Sequence, residues 1–167
     1  MTAFVGHAQH MPVELWDYLL HCAGGYVAIS LQESRYVVGP VELFRRQVQN
    51  VAFVSVEDLA SDNHRPLHVL GHLVDHYLGC GGDTDGAWLT RGGGMNPTWQ
   101  EAGSRLQRLF SLGYGVDEAA QSNVQDYLAQ SLALFCRDRA ILNAADPQIY
   151  KWFRSTLWSR EFWQVEV

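Results

Sequence analysis

Lysine is almost missing from this chain: of its twelve Lys and Arg residues only Lys151 is a lysine, and no dense basic run occurs. Eighteen acidic residues bring the formal net charge to -6. A chain of that balance does not present the basic footprint that a phosphate backbone requires, so nucleic acid is not an expected partner. Cysteine is also scarce. Cys22, Cys80 and Cys136 are far apart and odd in number, and no CxxC pair is present. That argues against a thiolate zinc site and a disulfide framework, and it fits reduced thiols in a cytoplasmic protein. Long apolar runs are lacking too, none approaching the ~20 residues of a membrane span. The first residues, MTAFVGHAQHMPVELW, carry neither a cationic n-region nor a sustained apolar core, which argues against a secretory signal. There is no internal repeat and no low-complexity tract.

Aromatic residues, by contrast, are plentiful. Six Trp, seven Tyr and seven Phe supply large side chains to bury, and 167 residues suffice for one domain with a hydrophobic core. The apolar pattern predicts a helix over 12–22, strands over 26–31 and 35–38 paired around Gln32-Glu33-Ser34, and a helix over 41–49. Val51 to Val56 is the strongest strand signal. A long helix follows, capped by Asp62 or Asn63 and stopped at Gly79. The Gly-rich segment 79–94 reads as a loop. Further helices are expected over 99–112 with Thr98 as cap, over 122–136, and over 148–158 behind Asp146-Pro147. Helix, a small group of strands, then several helices make an α+β layout, with helices gathered on one side of a small sheet.

The long helix carries histidine every fourth residue, at His64, His68, His72 and His76. Side chains at i and i+4 are neighbours on a helix, about 5–6 Å apart at Cβ. Two imidazoles so placed can aim nitrogens at one metal ion, as zinc requires. All four cannot, because His64 and His76 lie about 18 Å apart along the axis. The His68/His72 pair has the apolar neighbours Leu67, Val69, Leu70 and Leu73, which predicts a buried face. Spacing alone leaves open that these histidines bond to backbone or carboxylate groups instead.

The segment H-V-L-G-H-L-V-D-H-Y-L-G, residues 68–79, resembles the active-site helix of the anthrax lethal factor-like metallopeptidases and the related Pro-Pro endopeptidases, which reads approximately H-E-x-G-H-x-x-D-x-x-x-G. His68, Gly71, His72, Asp75 and Gly79 all fall in register. The resemblance continues through Asp126 to Phe135 and through Asp146 to Phe153, covering roughly Val51 to Leu157. It implies a zincin-like fold in a single domain over 1–167, with His68, His72 and Asp126 as metal ligands and zinc as the metal. Asp75 would orient a ligand histidine, and Gln130 replaces a second acidic residue behind the site. Tyr114, before Gly115, would steady a developing oxyanion, although its interval to Asp126 is longer than the family's. His64 and His76 would lie on the flank of the site or in solvent.

Two departures matter. The family's third ligand is Glu, and Asp126 is one methylene shorter, so its helix must sit closer. The residue after the first His is the family's general base, a Glu, and here it is Val69. Valine neither accepts nor donates a proton, and general acid–base catalysis contributes about 10²–10⁴-fold. The expectation is therefore a catalytically degenerate zincin, a pseudopeptidase that holds a divalent metal and a peptide or protein partner, the latter by strand addition at Val51 to Val56 or its neighbours. Two alternatives stand beside it. One is a divergent zinc hydrolase with a relocated base, for which Asp75, Glu101, Asp117 and Glu118 are available. The other is a metal-free structural or interaction domain.

Weaker signals read as structural. The loop 79–86 lacks the Gly-Lys-Ser/Thr end of a P-loop and the spacing of an EF-hand, and is expected to rim the cleft. Cys80, one turn from His76, lacks an orienting group and reads as a structural thiol. Trp152 and Phe153 are expected in the core, whereas an exposed Trp163 would suggest a protein contact.

Overall fold

The computed structural model describes residues 6, 9–22, 24–61 and 63–164. Its architecture is mixed α+β, a three-stranded sheet beside a set of helices. Helix α1 (Val13–Asp17) runs directly into a π-helical turn (Tyr18–Cys22), and Leu15 and Leu19 are buried beneath them.

Strand β1 (Tyr26–Ser30) lies at one edge, β3 (Arg46–Ser55) in the centre and β2 (Arg35–Leu43) at the other edge. β1 is parallel to β3, with Tyr26 opposite Val51, and β2 is antiparallel to it. Two expectations are corrected here. β1 and β2 do not pair around residues 32–34, because β3 is inserted between them. Residues 41–49 are not helical, because β2 and β3 form a hairpin through Phe44 and Arg45, both at positive φ (50° and 63°). Gly39, at φ 90°, marks an irregularity where the register shifts between Val37 and Pro40. Its N–H donates to the Asn50 side chain at 2.8 Å, so the proline interrupts the ladder without ending the strand.

Helix α2 (Val56–Ala60) is capped by Ser55. Helix α3 (Arg65–Cys80) then crosses β3 and β2. Its N-cap position is His64, which makes no side-chain cap, and not Asn63, which accepts from the Arg65 N–H at 2.9 Å one residue earlier; the alternative cap Asp62 lies outside the described residues. Gly79 does not stop α3. The helix ends one residue later, and Gly81 takes the left-handed conformation. Gly79 serves another purpose, since a Cβ on it would stand 2.2 Å from the Leu89 nitrogen. A short 3₁₀ turn (Leu89–Arg91) therefore packs directly on the helix backbone.

Helix α4 (Pro97–Ser111) is capped by Asn96, whose side chain accepts from the Trp99 N–H, and not by Thr98. Asparagine two residues before the expected cap supplies the better acceptor, with Pro97 at the first helical position. Helix α5 (Glu118–Ser122) precedes α6 (Val124–Arg137), capped by Asn123. Helices α7 (Arg139–Ala145), α8 (Pro147–Ser155) and α9 (Arg160–Trp163) follow. The segment expected as one helix to Trp158 ends at Ser155.

The core is one cluster centred on α3 and α6, with Leu70, Leu73, Tyr127, Leu132, Trp152 and Phe153 essentially inaccessible. Trp163 is no exposed contact. It packs edge-on against Trp99 and Phe162 and donates its indole N–H to the Leu157 carbonyl. No helix among the described residues is long and apolar enough to cross a membrane.

Candidate metal centre

Two helices that are far apart in sequence deliver the site. His68 and His72 project from α3 on one face, as the four-residue spacing dictates. Asp126 stands in the first turn of α6, where Asn123 caps the helix by accepting from the Asp126 N–H at 2.9 Å. The two helices come close because Gly71 faces Ala129. A Cβ on Gly71 would meet the Ala129 Cα at 2.6 Å and its Cβ at 2.9 Å. That close approach lets the short aspartate side chain reach the histidines where a glutamate would be expected.

The three donor atoms converge. His68 Nε2 and His72 Nε2 are 3.0 Å apart, and Asp126 Oδ1 lies 3.5 Å and 3.4 Å from them. Zinc bonds of about 2.0–2.1 Å at tetrahedral angles place neighbouring ligand atoms about 3.3–3.4 Å apart. Asp126 Oδ1 stands at about that spacing from both nitrogens, the two nitrogens stand closer, and His68, His72 and Asp126 form a group that could hold a metal ion.

The surroundings prepare these donors. Asp126 turns Oδ1 to the histidines, while its Oδ2 accepts from Asn123 Nδ2 at 2.6 Å and Ser122 Oγ at 3.2 Å. Burial lowers the His72 pKa to about 4, with the His68 charge acting in the same direction and Asp126 opposing both. Burial also lowers that of His68, against the charge of Asp126. Both rings are therefore neutral near pH 7, the state in which imidazole binds metal. Gln130 sits beside His68 as a polar neighbour that favours its charged form. The contact falls short of a formed hydrogen bond, and His68 Nδ1 is buried without a partner.

A cleft of about 390 Å³ opens in front of the triad, between α3 and the edge strand β2. Tyr36 and Arg35 form its β2 wall, Trp88 stands at one end, and Val69 lies on its floor. A second cavity of about 490 Å³ shares Ser34, His68 and Val69 with it and adds Glu33, His64 and Gln130. Val69 is 4% exposed and lines both, with an aliphatic side chain.

Several expected residues do other work. Asp75 does not orient a ligand histidine: its carboxylate accepts from the Thr90 N–H at 2.8 Å and the Thr90 hydroxyl at 2.6 Å, tying the 3₁₀ turn to α3. Burial raises its pKa to about 7 against these two hydrogen bonds. Tyr114 is half-exposed on the loop after α4 and lines neither cavity, so nothing brings it to the triad. Of the carboxylates offered as a relocated base, Asp75 is committed to Thr90 and Asp117 caps α5, while Glu101 and Glu118 are exposed and line neither cavity. His76 is not in solvent, and its partners Tyr36 and Trp88 both line the cleft. It is fully buried, stacked on Trp88 at 4.9 Å, with Nδ1 2.7 Å from the Tyr36 hydroxyl and Nε2 2.9 Å from the Asp83 carbonyl. Of the four histidines only His64 is exposed, at the mouth of the second cavity. The Cys80 thiol donates to the His76 and Asp83 carbonyls at 3.3 Å, and burial raises its pKa, as befits a structural cysteine.

Sequence reasoning missed Tyr36, Trp88, Asn123 and Glu33. Asn123 was legible as an N-cap three residues before an acidic residue. The others reach the cleft only through sheet order and the path of a loop. Comparison with protein-family models, curated proteins and solved structures finds no match to this chain.

Proposed function

We propose that this chain is a zincin-like protein that binds a divalent metal, zinc by donor type, and holds a peptide or protein segment in the adjoining cleft without acting as an ordinary peptidase. The observation that carries this reading is the convergence of His68, His72 and Asp126 at the foot of the cleft, their donor atoms within 3.5 Å of one another. A bound zinc would supply Lewis-acid polarisation to a ligand entering that cleft. His68 and His72 present neutral nitrogens, and Asp126, braced by Asn123, completes the charge balance.

The β2 edge favours an extended ligand. β3, including Val51 to Ser55, is paired on both sides and has no free edge, whereas β2 is paired on one side and forms the cleft wall through Arg35 and Tyr36. Strand addition therefore belongs to β2. Val69 removes the proton acceptor that the resembled family uses, and on that ground peptide hydrolysis is reduced by about 10²–10⁴-fold. A second reading, a hydrolase whose base comes from elsewhere, is favoured by Glu33, which lines the cavity beside His68 and Val69.

The test compares wild type with Val69→Glu, both zinc-loaded, on an unfolded protein substrate. Retention without cleavage by wild type, and zinc-dependent cleavage gained by Val69→Glu, are expected. Efficient cleavage by wild type that is lost in Glu33→Gln would replace this reading with the second.

A further inference from the structure

A third cavity, of about 340 Å³, lies beyond the two that border the triad. The first and second share Ser34, His68 and Val69, and the second and third share His64 and Gln130. The three therefore lie in a row, from Trp88 past the triad to the N-terminal end of α3 and onward along α6. One face of α6 runs through the row. Asp126, Gln130, Ala133, Leu134 and Arg137 recur at helical spacing and so follow one another along that face. It offers a carboxylate at the triad, an amide one turn later and an apolar pair a turn beyond. In the third cavity Ala133 and Leu134 are joined by Val116, from the loop before α5. The charged groups of this cavity have other duties. Asp117 caps α5 by accepting from the Ala120 N–H at 2.8 Å, and Arg137 is engaged as well. Apart from His64 and Gln130, which it shares with the second cavity, the lining that remains is aliphatic.

We propose that the third cavity is a side-chain pocket for the peptide segment held at the triad, and that it selects one bulky apolar residue at a fixed interval from the residue at the metal. This inference rests on the metal and peptide reading of the cleft and adds a sequence preference to it. Helix geometry sets the interval. Gln130 and Leu134 stand about 6 Å and 12 Å beyond Asp126 along the α6 axis, at 1.5 Å per residue. An extended chain advances about 3.3 Å per residue, so the pocket is reached about two to four residues from the one at the metal. Continuity with the cleft names the occupant: a segment that crosses the triad along α3 arrives at this cavity. Gln130 lines both spaces, where its amide can pair with the backbone of the passing segment. A volume of about 340 Å³ falls at the small end of ligand pockets, which suits one side chain. Ala133, Leu134 and Val116 reward an apolar side chain, and a charged one would find Asp117 already committed to α5.

The experiment uses the full chain, zinc-loaded, with oligoglycine hydroxamates as probes, because the hydroxamate fixes one end of the chain at the metal. A single leucine is moved along the chain, in one series running from the hydroxamate toward the peptide N-terminus and in another toward the C-terminus. Zinc content and probe affinity are measured on the same samples. In one series, leucine about two to four residues from the hydroxamate is expected to bind about 10–100-fold more tightly than the all-glycine probe. That ratio is expected to fall to about one in Val116→Asp, which puts a charge into the aliphatic lining; Leu134→Gln serves the same purpose should Val116→Asp fail to fold. No leucine preference at this interval in either series, read on wild type alone, would overturn the pocket. So would a preference that these substitutions leave intact. An all-glycine probe that binds equally with and without zinc, or protein that takes up no zinc, would instead remove the metal reading from which the interval is counted.

Discussion

Gly71 of α3 lies flush against Ala129 of α6, so that a β-carbon on the glycine would stand 2.6 Å from the alanine Cα. No side-chain rotation relieves a clash with backbone. This contact sets the distance between the helix that carries the two histidines and the helix that carries Asp126. Gly71→Ala is expected to push the helices apart, costing about 1–3 kcal/mol of stability as core overpacking does. Because Asp126 is already the shortest carboxylate available, zinc affinity should fall as well. Urea denaturation and a zinc titration of the folded variant check the two effects. Unchanged values for both would remove the close approach from the account.

Asn123 has two tasks, capping α6 and holding Asp126 Oδ2 at 2.6 Å. Loss of an N-cap costs about 1 kcal/mol, and loss of a residue that orients a metal ligand weakens metal binding about 10–100-fold. Asn123→Ser keeps the cap and removes the reach to Asp126, whereas Asn123→Ala removes both. Calorimetric zinc titration should find both variants weakened, and urea denaturation should find only the alanine variant destabilised. Equal zinc affinity in Asn123→Ser and wild type would confine Asn123 to capping.

The pH dependence of the metal-free protein should carry opposed contributions, that of Asp75 on one side and those of His72, His68 and His76, whose pKa values are all lowered by burial, on the other. His72 has a folded pKa of about 4 against an ordinary 6.5, so its contribution is present above pH 6.5 and lost as pH falls toward 4. Asp75 has a folded pKa of about 7 against an ordinary 3.8. Its contribution is present below pH 3.8 and lost as pH rises through 7. Over pH 4–7 Asp75 opposes the histidines, His72 and Asp75 each being worth on the order of a few kcal/mol. Asp75→Asn removes the second and exposes the first. Urea denaturation across this range should show stability climbing with pH more steeply in the variant than in wild type. Parallel curves would contradict the assignment of Asp75 as a buried, raised carboxyl.

The α+β order and the long helix that carries the histidines were legible because each rests on local pattern. Histidines at 68 and 72 share a face by helical periodicity alone. The hairpin was not legible. Phe44 and Arg45 adopt positive φ, where Asn and Gly are the usual residues, so no turn signal separates the two strands and residues 41–49 read as helix. The parallel pairing of β1 with β3 is a long-range choice that no local pattern encodes. For the same reason Tyr36 could not be placed at the cleft, since its position depends on β2 taking the outer edge. For Asp75 the resemblance misleads. Its partner, Thr90, arrives from a loop that the Gly-rich composition leaves undetermined.

The most direct test of the central claim is the metal content of protein purified without a polyhistidine tag, measured beside a His68→Ala/His72→Ala variant that remains folded. The account predicts about one zinc per chain in wild type, held by the three-donor site, and none in the variant. A folded wild type that takes up no metal even after incubation with zinc, or a variant that retains it, would contradict the metal centre formed by His68, His72 and Asp126.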